Sequence, residues 1–548
     1  MSKLPISNEP AYPFTLTDTT GTAQRFEGEI DPSPTLLFFF KQDCATCGLT
    51  APLVQYIYDE LSGAGLRVIG ISQDTAEDTA TFIAANDLTF TIVLDTELNC
   101  SAEYGFDAVP ALVLTDPKQM VLASFEGFSK NDLTSLVTLA AAQCTQPTPP
   151  LDSVIATLPE ERPGCGSRIH DPDVARRLAV KKGLSQLRAR RVRIPDALDP
   201  FEFLDDQGLT DGLPVVPPTE SRVLRMLEHT SRSATDVVAV VPPNLVPATV
   251  EKVAINAVMA GCKPSYLPVV LAAVEASCTD AFNLHGVLAT TYFVGPLIIV
   301  NGPIRHEIGL NSGQNVFGQG TRANSTIGRA LQLIVRNIGG GRPGEVDMST
   351  LGQPGKIGVC IAENEELSCW DPLHVERGFA QNQSTVTVFA AEAPRAIRDQ
   401  LSRNAHSLAI SMGLSLESIA HVKLHGMDQA LLVVSPEHVR TFERDNYSKS
   451  DLRLQIQDTT ARPIRDLLPN EECHKGTPLK AVPKDWKDEA GQVREDALDR
   501  TLPKFSSPED ILIMVAGGTA GKFSAAVGGW ASGGLGVSSK AVTRVIQS

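Results

Sequence analysis

A run of six mostly apolar, β-prone residues, Thr35-Leu36-Leu37-Phe38-Phe39-Phe40, leads straight to two cysteines spaced Cys44-Ala45-Thr46-Cys47. A helical pattern, Ala51-Pro52-Leu53-Val54-Gln55-Tyr56-Ile57, follows at once. A run that is apolar on both faces needs cover on both faces, which predicts a central strand of an α/β sheet. The pattern continues in the same style. Leu66 to Ser72 reads as a second strand, Asp78 to Asn86 as a second helix, and Thr91 to Asp95 and Ala111 to Thr115 as two further strands. Residues 1–145 are therefore expected to form one α/β domain with some parallel pairing.

Two cysteines at the start of a helix have a chemical rationale. The helix N-terminus lends positive potential to the first sulfur and favours its thiolate, the form that attacks a disulfide. The two-residue spacing lets the second thiol swing back and resolve a mixed disulfide. Half of a zinc site and an inert pair are the alternatives, but no second pair with ligand spacing occurs in the chain. A redox-active Cys44–Cys47 disulfide is the reading adopted, with no metal and no other cofactor expected.

Residues 1–145 resemble the thioredoxin fold, in particular its peroxiredoxin-like and thiol-disulfide reductase branches. The residues that carry the likeness are Cys44-Ala45-Thr46-Cys47, Pro52, Val68-Ile69-Gly70-Ile71-Ser72, and Tyr104-Gly105 followed by Val109-Pro110. The resemblance implies that Cys44 is the nucleophile and Cys47 the resolver. It implies that Pro110 is a cis-proline turn that presents backbone to the substrate beside the sulfurs. The chain departs from the pattern at Gln42-Asp43, where a tryptophan would precede Cys44, and at Ala45-Thr46 in place of Gly-Pro. It also lacks the Thr-x-x-Cys of a peroxidatic cysteine. Cys100 is a further thiol, read as a buried cysteine at a helix start rather than a third redox group.

The whole chain is too long for this domain alone. With 548 residues, two or three domains are expected. A net charge of −16 argues against nucleic acid or an anionic membrane surface as partner. No apolar run reaches the roughly 18 residues of a membrane span. The N-terminal sequence lacks the apolar stretch of a signal peptide, and ten cysteines without export read as reduced thiols in the cytoplasm. Homo-oligomerisation is left open.

Gln146-Pro147-Thr148-Pro149-Pro150 has linker composition, and residues 146–195 are read as a linker that ends in a basic helix, Asp173 to Arg193. Within it, Cys165 in Pro163-Gly164-Cys165-Gly166 is a candidate electron shuttle, with a surface cysteine as the plainer alternative. Residues 196–548 are expected to form a large α/β domain, and no internal repeat is evident. Helices are predicted over Val250–Ala260 and Leu267–Ser277. Buried strands are predicted at Leu297–Val300, Lys356–Ile361, Val386–Phe389, Ala430–Val434 and Ile511–Ala516.

Stretches such as Asp211 to Thr219, Phe282-Asn283-Leu284-His285-Gly286, Arg322 to Arg329 and Gly339 to Gly344 resemble an uncharacterised bacterial family, and this resemblance implies no activity. The residues themselves offer candidates. Cys262, beside Lys263, is the preferred nucleophile, with Cys360 a second thiol and His285 a general base. Asn301, Arg322, Asn324, Arg329, Arg342, Glu363 and Lys522 lie in Gly- and Asn-rich surroundings suited to a small anionic substrate. Lys522 closes Gly517-Gly518-Thr519-Ala520-Gly521, a glycine loop that departs from the nucleotide-binding pattern at Ala516 and Phe523. His421 and His425 have zinc spacing only on a helix, and their surroundings read as strands.

The sequence thus points first to a thiol-dependent oxidoreductase. In that reading the Cys44–Cys47 pair recycles a thiol-based site of the large domain, and an external thiol reductant restores the pair. A non-redox lyase or hydrolase in the large domain and a redox-regulated binding protein are the alternatives.

Overall fold

The structure is a computed structural model that describes all residues except 1–3, 28–32, 172–173, 175–177, 179–186, 196, 427–428, 532–536 and 548. It divides into two compact units, residues 1–185 and 186–548. Both are mixed α/β, as the sequence predicts.

In the first unit the chain order is β1 (Phe14–Asp18), β2 (Ala23–Phe26), β3 (Thr35–Phe40), α1 (Ala45–Leu61), β4 (Arg67–Ser72), α2 (Ala76–Ala85), β5 (Thr91–Leu94) and α3 (Asn99–Tyr104). There follow β6 (Ala108–Val109), β7 (Ala111–Thr115), β8 (Val121–Glu126), β9 (Phe128–Ser129) and α4 (Lys130–Gln143). Seven strands make one sheet in the order β2-β1-β5-β4-β3-β7-β8. The Thr35–Phe40 run is an interior strand, parallel to β4 and antiparallel to β7, and every residue in it is buried. Phe40 stacks on Phe38 and Phe82, and Phe39 packs against Tyr104 and Phe106, so aromatic rings fill both sides of the strand.

The segment read as a linker departs from that reading. Leu151 and Ile155, in and before α5 (Asp152–Ile155), are buried in the first unit's core. Beyond them β10 (Glu161–Arg162) pairs with β9, and β11 (Cys165–Gly166) pairs with β6. Pro-rich composition signalled an extended chain, and the extended chain is here used as edge strands. The basic helix expected over 173–193 falls mostly outside the described residues. Of its described residues, Val174 and Leu178 are helical, whereas 187–193, with Arg188, Arg190, Arg191 and Arg193, are not.

In the second unit the helices Pro200–Asp206 and Glu220–Leu227 precede the hairpin β12 (Val237–Val241) and β13 (Val246–Thr249), which is followed by helices Val250–Ala260 and Leu267–Ser277. The remaining strands are β14 (Gly295–Asn301), β15 (Val359–Ala362), β16 (Thr385–Ala391), β17 (Arg395–Arg398), β18 (Ala430–Val434), β19 (Arg462–Pro463), β20 (Thr501–Leu502), β21 (Ile511–Val515), β22 (Phe523–Gly528) and β23 (Val542–Val545). They form two four-stranded sheets, β15-β14-β16-β23 and β17-β22-β18-β21, beside the small pair β19-β20.

The two sheets have the same plan. β14 is parallel to β15 and antiparallel to β16, which is antiparallel to β23. β18 is parallel to β21 and antiparallel to β22, which is antiparallel to β17. The edge strands are exchanged: β17 follows β16 in the chain yet joins the second sheet, and β23 follows β22 yet joins the first. No repeat is evident in the sequence, but the strand plan recurs.

Period-two alternation builds the layers. Leu297, Ile299, Ile361 and Phe389 of the first sheet share one core with Leu431, Val433, Leu512 and Met514 of the second. Ile298, Val300 and Cys360 face the helices Val250–Ala260, Leu267–Ser277 and Arg322–Ile334. Leu432, Val434, Ile511 and Ile513 face the helices Ala405–Glu417 and Lys449–Thr460. The result is two sheets packed face to face between two helical layers. Among the described residues no helix is long and apolar enough to cross a membrane.

Candidate active site

The interior strand β3 delivers Cys44 to the start of α1, where it serves as the N-cap: the Cys47 amide donates to the Cys44 sulfur at 3.2 Å. Cys44 is 2% exposed and Cys47 fully buried. The Val109–Pro110 peptide is cis, as the family likeness implies, and the Cys44 thiol points at the Val109 carbonyl at 3.3 Å. Cys44, Cys47 and Pro110 therefore meet at one point, between the end of β3 and the β6–β7 turn.

The electrostatics divide the two sulfurs. Hydrogen bonds donated by the Cys47 thiol and amide, with the Cys165 thiol and amide adding to them, outweigh burial and draw the Cys44 thiol down from 9.0 to about 5. Burial, reinforced by the neighbouring Cys44, pushes the Cys47 thiol far upward. One sulfur is thus an anion ready to attack, and the other holds its proton. Because part of the upward push on Cys47 comes from the Cys44 charge, it eases once Cys44 is consumed in a disulfide.

The structure adds a third cysteine to this pair. β11 lies antiparallel to β6 with Cys165 opposite Val109, the residue whose carbonyl the Cys44 thiol points at, and Cys165 packs against the core that holds Cys44. The strap around Cys165 is tied down along its length. Thr46 Oγ1 donates to the Pro163 carbonyl at 2.9 Å, and the Ser167 amide donates to the Asp107 carbonyl at 2.9 Å. Gln73 Nε2 donates to Ser167 Oγ at 2.9 Å, and the Arg168 guanidinium pairs with the buried Asp74 at 2.6 Å. Gly164 is required here, since a Cβ would stand 2.6 Å from the Val109 carbonyl oxygen. Cys100 lies at the start of α3, buried, with its thiol held protonated by burial and by Asp95 and Glu103.

The candidates of the second unit do not gather into one site. Cys262 follows the helix Val250–Ala260 and is 6% exposed. Its thiol donates to the Thr326 carbonyl at 3.4 Å, and burial raises it to about 12 despite Arg322 and Arg329 nearby. Cys360, in β15, is buried and shifted upward for the same reason. At Cys262 the favourable pull of Arg322 and Arg329 is smaller than the upward push of burial. His285 is exposed on the short helix Leu284–Ala289.

The three candidate arginines serve main-chain and acidic partners. Arg329 grips Asp211 through two bonds of 2.8 and 2.7 Å and donates to the Leu213 and Pro214 carbonyls, locking the Pro-rich segment. Arg322 donates to the Gly261 carbonyl and Arg342 to that of Gly208. The Asn324 side chain brackets the Asn311 backbone.

Asn301 and Glu363 do meet, at the carboxyl ends of the parallel β14 and β15. Glu363 is fully buried and accepts from Asn301 Nδ2 and the amides of Leu373 and Val515. Beside it Arg305, 4% exposed, joins Glu365 and Glu366. The single-sequence reading missed this network, although the run Glu363-Asn364-Glu365-Glu366 after an apolar strand was a signal for it. Lys522 lines a separate cleft of about 530 Å³ with Arg403, Arg444, Ser402 and Thr441. In its glycine loop the Gly521 amide already donates to Glu437 and the Gly517 amide to the Ser312 carbonyl. His425 is buried with both ring nitrogens at main-chain carbonyls, so it serves the fold.

Comparison with known proteins bears on the first unit. Residues 8–124 match the AhpC/TSA family. A thioredoxin-like protein of Haemophilus influenzae is 25% identical over 122 residues, 22% of this chain and 71% of that protein. Similar solved structures include the thioredoxin domain of a thiol-disulfide oxidoreductase from Bacteroides vulgatus, 21% identical, covering 25% of this chain and 97% of that one with a TM-score of 0.23. Peroxidoxin BcpB from Mycobacterium tuberculosis is 20% identical, covering 26% of this chain and 96% of its own with a TM-score of 0.22. The amino-terminal unit thus carries an AhpC/TSA-type, thioredoxin-like domain over residues 8–124.

Proposed function

We propose that this protein is a thiol-disulfide oxidoreductase whose Cys44 attacks and whose Cys47 resolves, with the second unit binding a small anionic substrate. The observation that carries the reading is the placement of Cys44 as the N-cap of α1, accepting from the Cys47 amide at 3.2 Å beside the Val109–Pro110 turn, a setting that lowers the Cys44 thiol while burial raises Cys47. In the first step the Cys44 thiolate attacks a disulfide, forming a mixed disulfide and releasing one thiolate, which takes a proton from water. Cys47 then attacks the Cys44 sulfur, and its proton passes to the second departing sulfur. The substrate disulfide leaves as two thiols, and the protein holds Cys44–Cys47. An external thiol reductant restores the pair.

The role of the second unit rests on its basic cleft. Lys522, Arg403 and Arg444 converge on it, a composition that suits a carboxylate or phosphate group. The buried, protonated thiols of Cys262 and Cys360 leave the redox work to the first unit, so the cleft supplies binding rather than a second nucleophile.

The test is catalysis of glutathione disulfide reduction by dithiothreitol above the uncatalysed rate. Cys44→Ser is expected to abolish it, and Cys47→Ser to stop after one exchange. Full activity in Cys44→Ser would end the reading. For the cleft, citrate or phosphate is expected to raise the thermal midpoint of the full chain, and Lys522→Ala to remove most of that rise.

A further inference from the structure

The strap that closes over Cys44 carries a cysteine opposite Val109, the residue whose carbonyl lies 3.3 Å from the Cys44 sulfur, and that cysteine packs against the core holding Cys44. We propose that Cys165 is a third redox thiol of this site, which replaces Cys47 as the disulfide partner of Cys44 and passes the oxidising equivalent to thiols in solution. The inference rests on the reading of Cys44 and Cys47 as a redox pair.

Accessibility carries the argument. Cys44 is 2% exposed and Cys47 is fully buried, whereas Cys165 is half-buried on an edge strand. A thiol arriving from solvent therefore meets the Cys165 sulfur first. Position is fixed as well: strand pairing with β6, the Thr46 bond to Pro163, and the Arg168–Asp74 pair hold the strap on both sides of Cys165. A surface cysteine in a flexible linker would have none of these anchors.

The exchange balances without a new oxidant. Starting from Cys44–Cys47, the Cys165 sulfur attacks the Cys44 sulfur. The Cys44–Cys165 bond forms, the Cys44–Cys47 bond breaks, and Cys47 leaves with the proton that Cys165 gives up. A thiolate RS⁻ then attacks Cys165, forming Cys165–S–S–R and releasing Cys44. A second thiol attacks the R sulfur, releasing RSSR and restoring the Cys165 thiol. The acidity of Cys44 supports the middle step, because a low-pKa thiol is the better leaving group when RS⁻ attacks Cys165. Hydrogen bonding to Cys44, together with burial, raises the Cys165 thiol. That restraint weakens when Cys44 is tied up in a disulfide, so Cys165 becomes reactive in the oxidised protein.

The test uses the full chain as wild type, Cys47→Ser and Cys165→Ser, each given one equivalent of glutathione disulfide, alkylated in acid and digested without reduction. Cys47→Ser is expected to yield the linked Cys44–Cys165 peptides, and partly oxidised wild type a minor amount of the same pair. Oxidised Cys165→Ser is expected to be reduced by glutathione at least about tenfold more slowly than wild type. If wild type forms Cys44–Cys47 but Cys47→Ser carries only glutathione on Cys44, the proposal falls and the oxidoreductase reading stands. An equal or faster reduction of Cys165→Ser also overturns the proposal. If wild type accepts no oxidising equivalent at Cys44, both fall together.

Discussion

The Cys165 thiol should control the acidity of Cys44, and the size of the effect follows from the hydrogen bonds at that sulfur. The Cys44 sulfur accepts from the Cys47 amide at 3.2 Å, and the neighbouring Cys47 and Cys165 thiols and the Cys165 amide further favour its anion. A hydrogen bond to a charged group contributes about 1.5–3 kcal/mol, and a thiol donor belongs at the weak end of that range. At 1.36 kcal/mol per unit, loss of the Cys165 thiol should raise the Cys44 pKa by about one unit. Cys165→Ala removes the thiol and keeps the amide, so the value should move from about 5 toward roughly 6. Cys165→Ser restores a donor of similar reach and should return the value close to that of wild type. The assay is the pH dependence of Cys44 alkylation by iodoacetamide, followed on the Cys44 peptide by mass spectrometry. The midpoint reports the pKa even where removal of the strap sulfur changes the plateau rate. A midpoint in Cys165→Ala that coincides with wild type would mean that the strap does not act on the Cys44 anion, and the account of the site would be refuted.

Further outcomes follow from the same geometry. Cys44 has a folded-state pKa of about 5, below the roughly 8.5 of a free thiol, so its contribution to stability is complete above the unfolded value and is lost as pH falls toward 5. Denaturant unfolding of reduced protein should therefore carry a slope of about 1.36 kcal/mol per pH unit across that window from this group, and Cys44→Ser should lack it. Gly164→Ala would press a Cβ into the Val109 carbonyl and the Ala108 side chain, so it should lift the strap. Faster Cys44 alkylation at saturating pH is the expected result, and an unchanged rate would show that the strap does not limit access. In the second unit, Glu363→Gln turns one acceptor into a donor facing the Asn301, Leu373 and Val515 donors. A cost of about 2 kcal/mol is expected, read as a lower thermal midpoint in calorimetry.

Legibility in the sequence tracked how local the signal was. Thr35–Phe40 and Ala430–Val434 announced themselves as buried strands because a strand covered on both faces is apolar at every position. The helices Val250–Ala260 and Leu267–Ser277 were bounded by a threonine cap and by Gly261 and Pro264. Cys44, Cys47 and Pro110 were found because two of them form one short motif and the likeness supplied the third. The strap was hidden for the opposite reason. Gly164 and Cys165 look like flexible chain unless their partner Val109 is known, and nothing in the sequence links residues that far apart. The arginines failed differently. Arg322, Arg329 and Arg342 have the residue type that binds anions, but their partners are backbone carbonyls and Asp211, and a lone sequence does not assign partners.

The exchanged edge strands bear on what the second unit is. A strand plan that occurs twice, with β17 and β23 each completing the other sheet, makes neither half a closed sheet without its counterpart. The parallel strands β14 and β15 end at Asn301 and just before Glu363, and the matching strands β18 and β21 end just before Ser435 and Ala516. Carboxyl ends of parallel strands are where an open α/β sheet places its ligands. At the first of these ends a buried carboxylate and Arg305 are already satisfied by the chain, which makes that end a structural junction: the Asn364 amide donates to Val515 and Glu363 accepts from it, tying one sheet to the other. At the second end the glycine loop leads on to Lys522 and the basic cleft. The duplication thus gives the first end to holding the sheets together, so the anion-binding proposal falls on Lys522 at the second end rather than on the more numerous polar residues around Glu363.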